Sequence, residues 1–144
     1  SLLHIYPQGV YFTGRYNRIN VVADGKNIGG RRILLCSLAN NNYYGGEFCC
    51  APHAKNDDGL IDLCLVNSLS LLSFLKMMPD YSAGKHLDNP KISKFFKYCR
   101  CRNVVVTATK TIELCLDGEM FPGTRFEISI VPGSINLMIP ESSV

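Results

Sequence analysis

The chain alternates apolar and polar residues along Thr111-Ile112-Glu113-Leu114-Cys115-Leu116 and then turns at Asp117-Gly118. Alternation with a period of two is the pattern of a half-buried β-strand, and Asp-Gly is a favoured two-residue hairpin connection. Another run with strand character, residues 124–131, follows this turn. The stretch therefore predicts a β-hairpin, and it indicates the fold class of the whole chain.

Short apolar runs separated by turn dipeptides recur along the rest of the chain. Asp24-Gly25 and Pro132-Gly133 are two of these dipeptides, because Gly accepts positive φ and Pro presets the backbone of a turn. The runs predict strands over residues 18–23, 32–38, 60–66, 104–109 and 134–139. The sequence thus predicts an all-β (mainly β) domain: a β-sandwich or a distorted barrel of about eight to nine strands, with one or two inserted helices.

Two stretches have helical rather than strand spacing. Residues 68–78 carry apolar side chains at helical intervals, begin with a serine that can cap the helix, and stop at Pro79. Residues 90–98 fit a second, shorter helix. A helix there places basic residues beside aromatic ones, which indicates either a solvated face or a surface that docks on an anionic membrane: Lys91, Lys94, Lys97 and Arg100.

Length and composition fit one globular domain with one core. The chain has 144 residues, 47% of them hydrophobic, and a formal net charge of +3. So small a charge gives no support to a nucleic-acid partner. The first residues lack an initiator Met and begin abruptly, so we expect a domain excised from a longer protein.

The cysteines indicate reduced thiols rather than a disulfide framework or a zinc site. Their number, seven, is odd, and none forms a Cys-x-x-Cys pair. The chain has neither a signal peptide nor an apolar run of the ~18 residues that span a bilayer. We therefore expect a cytoplasmic protein that works at the membrane surface as a peripheral partner.

Several blocks of sequence, in order and at consistent spacings, resemble the C-terminal half of bacterial diacylglycerol kinases and the related sphingosine and ceramide kinases. The blocks are Asn42-Tyr43-Tyr44-Gly45-Gly46, Ala51-Pro52-His53-Ala54-Lys55, Asp57-Asp58-Gly59-Leu60-Ile61-Asp62, Leu116-Asp117-Gly118-Glu119 and Val131-Pro132-Gly133-Ser134-Ile135. In that family a nucleotide-binding domain precedes a β-rich lipid-substrate domain. The resemblance implies that residues 1–144 are the second domain, because the Gly-Gly-Asp-Gly-Thr phosphate loop of the first is absent here.

The resemblance also implies a catalytic role for Asp117. It would act as the general base that takes the proton of a lipid hydroxyl while that oxygen attacks the γ-phosphate of ATP. Glu119 would hold nucleotide-bound Mg²⁺ through water. Without the resemblance, Asp117-Gly118 is an ordinary tight-turn dipeptide, and the residues alone leave both interpretations open.

A second cluster, around Asp57 and Asp58, raises the question of a metal site. It is not an EF-hand, because aligning the loop glycine puts Ala54 at the first ligand position and Leu65 where a Glu is required. The resemblance implies a Mg²⁺ site from the Asp58 carboxylate and the carbonyls of Lys55 and Leu60. A solvated Asx turn without metal is the alternative, with Asp57 and Asp62 capping or pairing with lysines.

Other polar residues carry weaker predictions. Asn42, Gly45 and Gly46 form either a turn that faces the substrate cleft or a loop that needs positive φ. His53 and His86 lie at no recognised metal-ligand spacing. The resemblance gives His86 a place at the mouth of the lipid cleft.

We therefore expect the lipid-binding half of an ATP- and Mg²⁺-dependent lipid kinase, inactive without its first domain. Its expected partners are a lipid alcohol, its own N-terminal nucleotide-binding domain and an anionic membrane surface; open strand edges leave a homodimer open as well. The alternatives are a non-catalytic β-sandwich module that binds a lipid or a protein and, with only the generic β architecture behind it, a sugar or nucleotide binder.

Overall fold

The computed structural model describes residues 10–43, 48–116 and 118–134, and it describes only the backbone of residues 10–17, 30–32 and 71. Most of the described part consists of strands. In chain order the elements are β1 (Val10–Ala23), β2 (Lys26–Ala39), β3 (Ile61–Asn67), α1 (Leu71–Ser82), a 3-10 helix (Ser93–Phe95), β4 (Phe96–Cys101), β5 (Asn103–Leu116) and β6 (Glu119–Ser129). The predicted fold class is therefore confirmed.

All strand pairs are antiparallel, in the order β4-β3-β2-β1-β5-β6. The pairing of β1 with β5 is interrupted between Phe12 and Ile19, and that of β5 with β6 between Thr107 and Ile112. Interruptions of this kind bend strands. The four longest strands, β1, β2, β5 and β6, are therefore divided between two sheets. One half of each joins β3 and β4 in the first sheet. The other halves form the second sheet, which consists of residues 19–23, 26–31, 103–108 and 125–129.

The main core lies between these two sheets. Buried apolar side chains from both sheets form one cluster, which includes Val21, Val106 and Ile128 from the second sheet and Leu38, Leu63 and Leu114 from the first. Two layers that bury their inner faces against each other are a β-sandwich. The predicted sandwich is thus confirmed over the described residues, whose strands do not close into a barrel.

A second buried cluster lies on the other face of the first sheet. Residues 61–66 of β3 are all buried, so this strand has no face toward solvent. Cys64 and Val66 pack against Met77 and Tyr81 of α1. The helix therefore forms a third layer over β3 and its neighbours.

Helix α1 extends further than its sequence predicts. Ser70 caps it by accepting a hydrogen bond from the Ser73 N–H (3.2 Å), as the predicted serine cap requires. The predicted stop at Pro79 is wrong, because the helix continues to Ser82 with Pro79 inside it. The last turn is held by packing: Tyr81 is 1% exposed, and its buried area offsets the roughly 3 kcal/mol that an interior proline costs.

The predicted helix over residues 90–98 is also wrong. The chain makes one 3-10 turn at Ser93–Phe95 and then enters β4, which pairs with β3. Lys97 and Arg100 therefore lie on a strand and point to opposite faces, since strand side chains alternate. The Lys97 ammonium donates to the Ile28 carbonyl (2.8 Å). The predicted basic stripe is not formed.

The turn predicted at Asp24-Gly25 is confirmed, and it joins β1 to β2 as a hairpin. Asp24 has a φ of 44°, and its carboxylate accepts hydrogen bonds from the backbone N–H groups of Asn103 (2.9 Å) and Arg102 (3.1 Å). These hydrogen bonds lower the pKa of Asp24 and tie the β1–β2 turn to the start of β5.

Within the described residues the strands are fewer and longer than predicted. The two runs predicted at 104–109 and 111–116 form the single strand β5, which an irregularity bends but does not end. The run predicted at 134–139 falls, from residue 135 onward, outside the described residues. Within the described ranges no helix is long and apolar enough to cross a bilayer.

Candidate functional site

Two acidic turns lie at the same edge of the first sheet. The Gly118 turn (residues 116–119) connects β5 to β6, and the Asp58 turn (residues 55–60) leads into β3. Cross-strand partners connect them in one row, from Leu116 through Val10 and Leu38 to Leu63. The row crosses three inter-strand steps of about 4.8 Å, so the turns are about 14 Å apart along the edge.

The Gly118 turn is a tight two-residue connection. Leu116 and Glu119 are cross-strand partners, and Gly118 has a φ of 90°, which favours glycine. Among the described residues, none has an atom within 4 Å of the position that a Cβ atom at Gly118 would take, so they leave the space beside the turn open. Glu119 is exposed. Asp117, the predicted catalytic base, lies outside the described residues.

The Asp58 turn is an Asx turn. The Leu60 N–H donates to Asp58 Oδ1 over 3.0 Å, and Gly59 has a φ of 68°. A Cβ at Gly59 would lie 3.0 Å from Cγ of Pro132. The Pro132-Gly133 turn thus packs beside the Asp58 turn, and two of the sequence blocks that carry the resemblance meet in space.

An arginine from β4 binds the Asp58 turn. Arg100 donates through a terminal guanidinium nitrogen to Asp58 Oδ2, and its Nε lies 3.5 Å from Asp62 Oδ1. Tyr98 donates its hydroxyl hydrogen to the same Asp62 oxygen. These contacts follow from register, because Asp62 is the cross-strand partner of Arg100, and Tyr98 is two residues away on the same face. Asp62 is therefore paired with arginine and tyrosine rather than with lysine.

Burial dominates the electrostatics of this cluster. Asp62 is 0% exposed, and loss of solvation raises its pKa, although the Tyr98 hydrogen bond and the nearby His53 act in the opposite direction. Burial, and then the hydrogen bond to Asp62, raise the pKa of Tyr98. Tyr98 therefore stays protonated and serves as a donor to a carboxylate that has lost its water.

The residues predicted to bind Mg²⁺ have suitable chemistry, but the Asp58 carboxylate is already engaged. Lys55 and Leu60 would offer carbonyl oxygens and Asp58 a carboxylate, the hard donors that Mg²⁺ prefers. Asp58 Oδ1 instead accepts from Leu60 and Oδ2 accepts from Arg100. A metal here would have to displace the guanidinium, so as arranged the set does not fit. Among the described residues no three His, Cys, Asp or Glu side chains cluster as a metal site.

The other predicted site residues that the structure describes make structural contacts. The Asn42 amide donates to the Pro52 carbonyl (2.9 Å), which joins two loops at the same sheet edge. Gly45 and Gly46 lie outside the described residues. His53 is exposed and meets the Tyr98 ring edge-on at 5.8 Å. His86 is 0% exposed, so it is a core residue and not part of a cleft mouth.

The structure identifies three functional candidates that sequence reasoning did not assign, Asp62, Tyr98 and Arg100. The sequence signal for them is the two-residue spacing of Tyr98 and Arg100, which places both side chains on one face of a strand. The predicted helix over residues 90–98 concealed it, because helical spacing distributes the same side chains differently.

Comparisons with known proteins agree with this architecture. A sequence family described as the YegS C-terminal NAD kinase beta sandwich-like domain matches residues 11–139. A diacylglycerol kinase structure from Bacillus anthracis str. Sterne superposes with a TM-score of 0.61 at 16% identity, covering 90% of this chain and 51% of that one. At that identity the likeness shows the fold alone.

Curated relatives are named as lipid kinases. A "Probable lipid kinase YegS-like" protein of Chromohalobacter salexigens is 32% identical over 112 residues, which are 77% of this chain and 34% of the relative. The "Diacylglycerol kinase" of Bacillus subtilis is 29% identical over 76% of this chain and 35% of its own length. The chain thus spans about a third of these relatives. Because the family match covers most of its length, the chain belongs to the family of YegS-type C-terminal NAD kinase-like β-sandwich domains, whose relatives include diacylglycerol kinases.

Proposed function

We propose that the full-length protein is an ATP-dependent lipid kinase and that this chain is its lipid-substrate half. The observation that supports this most strongly is the family match over residues 11–139, with relatives named as lipid and diacylglycerol kinases. The sheet edge that carries both acidic turns is the proposed substrate-facing side. A nucleotide-binding domain, supplied by the rest of the protein, lies against this edge and closes the cleft.

In the proposed reaction Asp117 accepts a hydrogen bond from the lipid hydroxyl and takes its proton. The hydroxyl oxygen forms a bond to the γ-phosphorus of ATP while the bond to the β-γ bridging oxygen breaks, which releases ADP. A magnesium ion bound with the nucleotide would supply positive charge to offset that of the phosphoryl group. Glu119, two residues after the base, would help to hold that ion. No step is assigned to a metal in the Asp58 turn.

We also propose that helix α1 docks on an anionic membrane. Leu72 is 72% exposed and Leu75 is 56% exposed, and they share a face with the exposed Lys76 because residues three and four apart on a helix are neighbours. The first turn of the helix carries no acidic residue. Two exposed leucines beside a cation match the boundary between acyl chains and anionic headgroups.

Lipid phosphorylation by the full-length protein, with radiolabelled ATP and a panel of lipid alcohols, tests the kinase proposal. Asp117→Asn should lower the rate at least ~100-fold while circular dichroism and the melting temperature stay unchanged, because only the base is lost. Glu113→Gln is the matched control: it removes an exposed carboxylate from the same hairpin and should leave the rate within a few-fold.

Two results would contradict the proposal. Activity of Asp117→Asn within a few-fold of the unsubstituted protein would remove the base assignment. Absence of transfer to every lipid tested, with ATP binding intact, would favour a non-catalytic lipid- or protein-binding module. The isolated chain should show no transfer, since the phosphate-binding part of the enzyme is assigned to the other domain.

A further inference from the structure

The positive charge at the Asp58 turn comes from a side chain of the protein, the Arg100 guanidinium. Arg100 lies between two carboxylates, bound to Asp58 Oδ2 through one nitrogen and 3.5 Å from Asp62 Oδ1 through Nε. The Arg100 side chain is 34% exposed and that of Asp58 is 19% exposed, so the pair lies at the boundary between solvent and core. A planar guanidinium can address two carboxylates at once, which an ammonium group cannot do with comparable geometry.

The buried partner explains why a cation is needed at this position. Asp62 is fully buried, and its second oxygen, Oδ2, has no hydrogen-bond partner among the described residues. A buried carboxylate without a nearby positive charge is strongly destabilising. The Tyr98 hydroxyl contributes one neutral hydrogen bond to it, and Arg100 contributes the charge.

The same oxygens are those that a divalent ion would use. Asp58 and Asp62 would supply carboxylate oxygens, and the backbone of the turn would supply carbonyls, which is a hard donor set of the kind that Mg²⁺ and Mn²⁺ accept. The guanidinium and a divalent ion therefore compete for Asp58. Oδ1 of Asp58 already accepts the Leu60 N–H, so Oδ2 is the oxygen for which the guanidinium and the ion would compete.

We propose that Arg100 keeps divalent metal out of the Asp58 turn, so that the turn is ordered without metal and a latent Mg²⁺ site opens only when Arg100 is removed. This departs from the metal site that the resemblance implies. It does not depend on the kinase reaction, because it concerns a contact within this domain.

Thermal unfolding of the nucleotide-free full-length protein tests the proposal, with MgCl₂ compared against KCl at equal ionic strength. The melting temperature of the unsubstituted protein should not respond to Mg²⁺. The melting temperature of Arg100→Gln should be lower than that of the unsubstituted protein in KCl. MgCl₂ should raise the melting temperature of this variant by at least about 2 °C, because an ion that binds the folded state stabilises that state. Asp58→Asn combined with Arg100→Gln should abolish that response, which excludes metal sites elsewhere in the protein.

Direct metal binding gives a second readout that does not depend on stability. Electron paramagnetic resonance of Mn²⁺ should count one more bound ion in Arg100→Gln than in the unsubstituted protein. Arg100→Lys, which keeps the charge, should bind no additional ion. A Mg²⁺ response of the unsubstituted protein that is lost in Asp58→Asn would overturn the proposal, and so would an Arg100→Gln protein that folds but binds no additional ion. If Arg100→Gln does not fold, the measurement on the unsubstituted protein decides alone.

Discussion

At the scale of single residues, His86 shows how the fold determines a charge state. Its ring is fully buried and packs against the rings of Tyr81 and Phe96, with 4.8 Å between centroids in each case. Nε2 lies 3.8 Å from Cys64 Sγ. Burial lowers the pKa of His86 to about 4. The side chain is therefore neutral at pH 7 and packs as a flat aromatic group.

We expect the stability of the protein to fall between pH 6.5 and pH 4 because of His86. The unfolded chain takes up a proton near pH 6.5, whereas the folded state takes it up only near pH 4, so protonation favours unfolding across this range. The loss should be about 3 kcal/mol. Urea unfolding of the full-length protein as a function of pH measures it.

Two variants isolate the contribution of His86 in that experiment. His86→Leu replaces the ring by an apolar side chain and should flatten the pH dependence, whatever it does to stability at pH 7. His53→Gln removes the exposed histidine and should leave most of this loss in place, because the ring that the fold buries is that of His86. An equal pH dependence in His86→Leu would show that other groups carry it.

At the scale of elements, α1 and β4 show which features local sequence patterns can predict and which depend on tertiary contacts. The serine cap and the helical spacing of α1 are local, and both could be predicted from the sequence. Its continuation past Pro79 depends on the burial of Tyr81 against Phe96, 5.9 Å away between ring centroids, and no neighbouring residue signals that contact. Strand β4 is the same case, because its pairing with β3 overrides a spacing that also fits a helix.

The exposed face of α1 should control binding to membranes. Leu72→Ser combined with Leu75→Ser should weaken binding of the full-length protein to vesicles that contain anionic lipid by at least about tenfold, since each leucine buried in the interface contributes more than 1 kcal/mol. Sedimentation with vesicles measures this. Val131→Ser, at an exposed apolar residue outside α1, is the control and should not change binding.

Varying the lipid composition extends this test to the charge on the helix. Lys76→Gln should reduce binding to anionic vesicles and have little effect on vesicles of neutral lipid. If the double serine variant binds anionic vesicles as tightly as the unsubstituted protein, α1 is not the docking surface.

At the scale of the whole molecule, the β class could be predicted because every strand carries its own alternation or apolar run. The division into two sheets could not, because it depends on where paired strands lose register, such as between Thr107 and Ile112, and no single stretch contains that information. The candidate site shows the same limit. The Asp-Gly and Asx turns are visible in the sequence, but the contact of Arg100 with Asp58 joins residues 42 apart.

Thiol reactivity should report the opening of the sandwich as one unit. All seven cysteines are free, as predicted, and Cys99 is the one that is not fully buried. A hydrogen bond with Cys101 lowers the pKa of Cys99, so access and thiolate character favour the same residue. Burial raises the pKa of Cys36 and of Cys50 to about 12, which makes them unreactive in the folded state.

Alkylation of the full-length protein, mapped by mass spectrometry at successive times, should therefore modify Cys99 first. Cys36 and Cys101, which lie in the main core between the sheets, should react together and only at the rate of global unfolding, so urea should accelerate both equally. Cys64 lies under α1, in the second cluster. If it reacts earlier than Cys36, the helix opens independently of the sandwich, and the first sheet loses its third layer before the two sheets separate. We expect equal rates for Cys64 and Cys36, because β3 is buried on both faces and contributes side chains to both the main core and the second cluster.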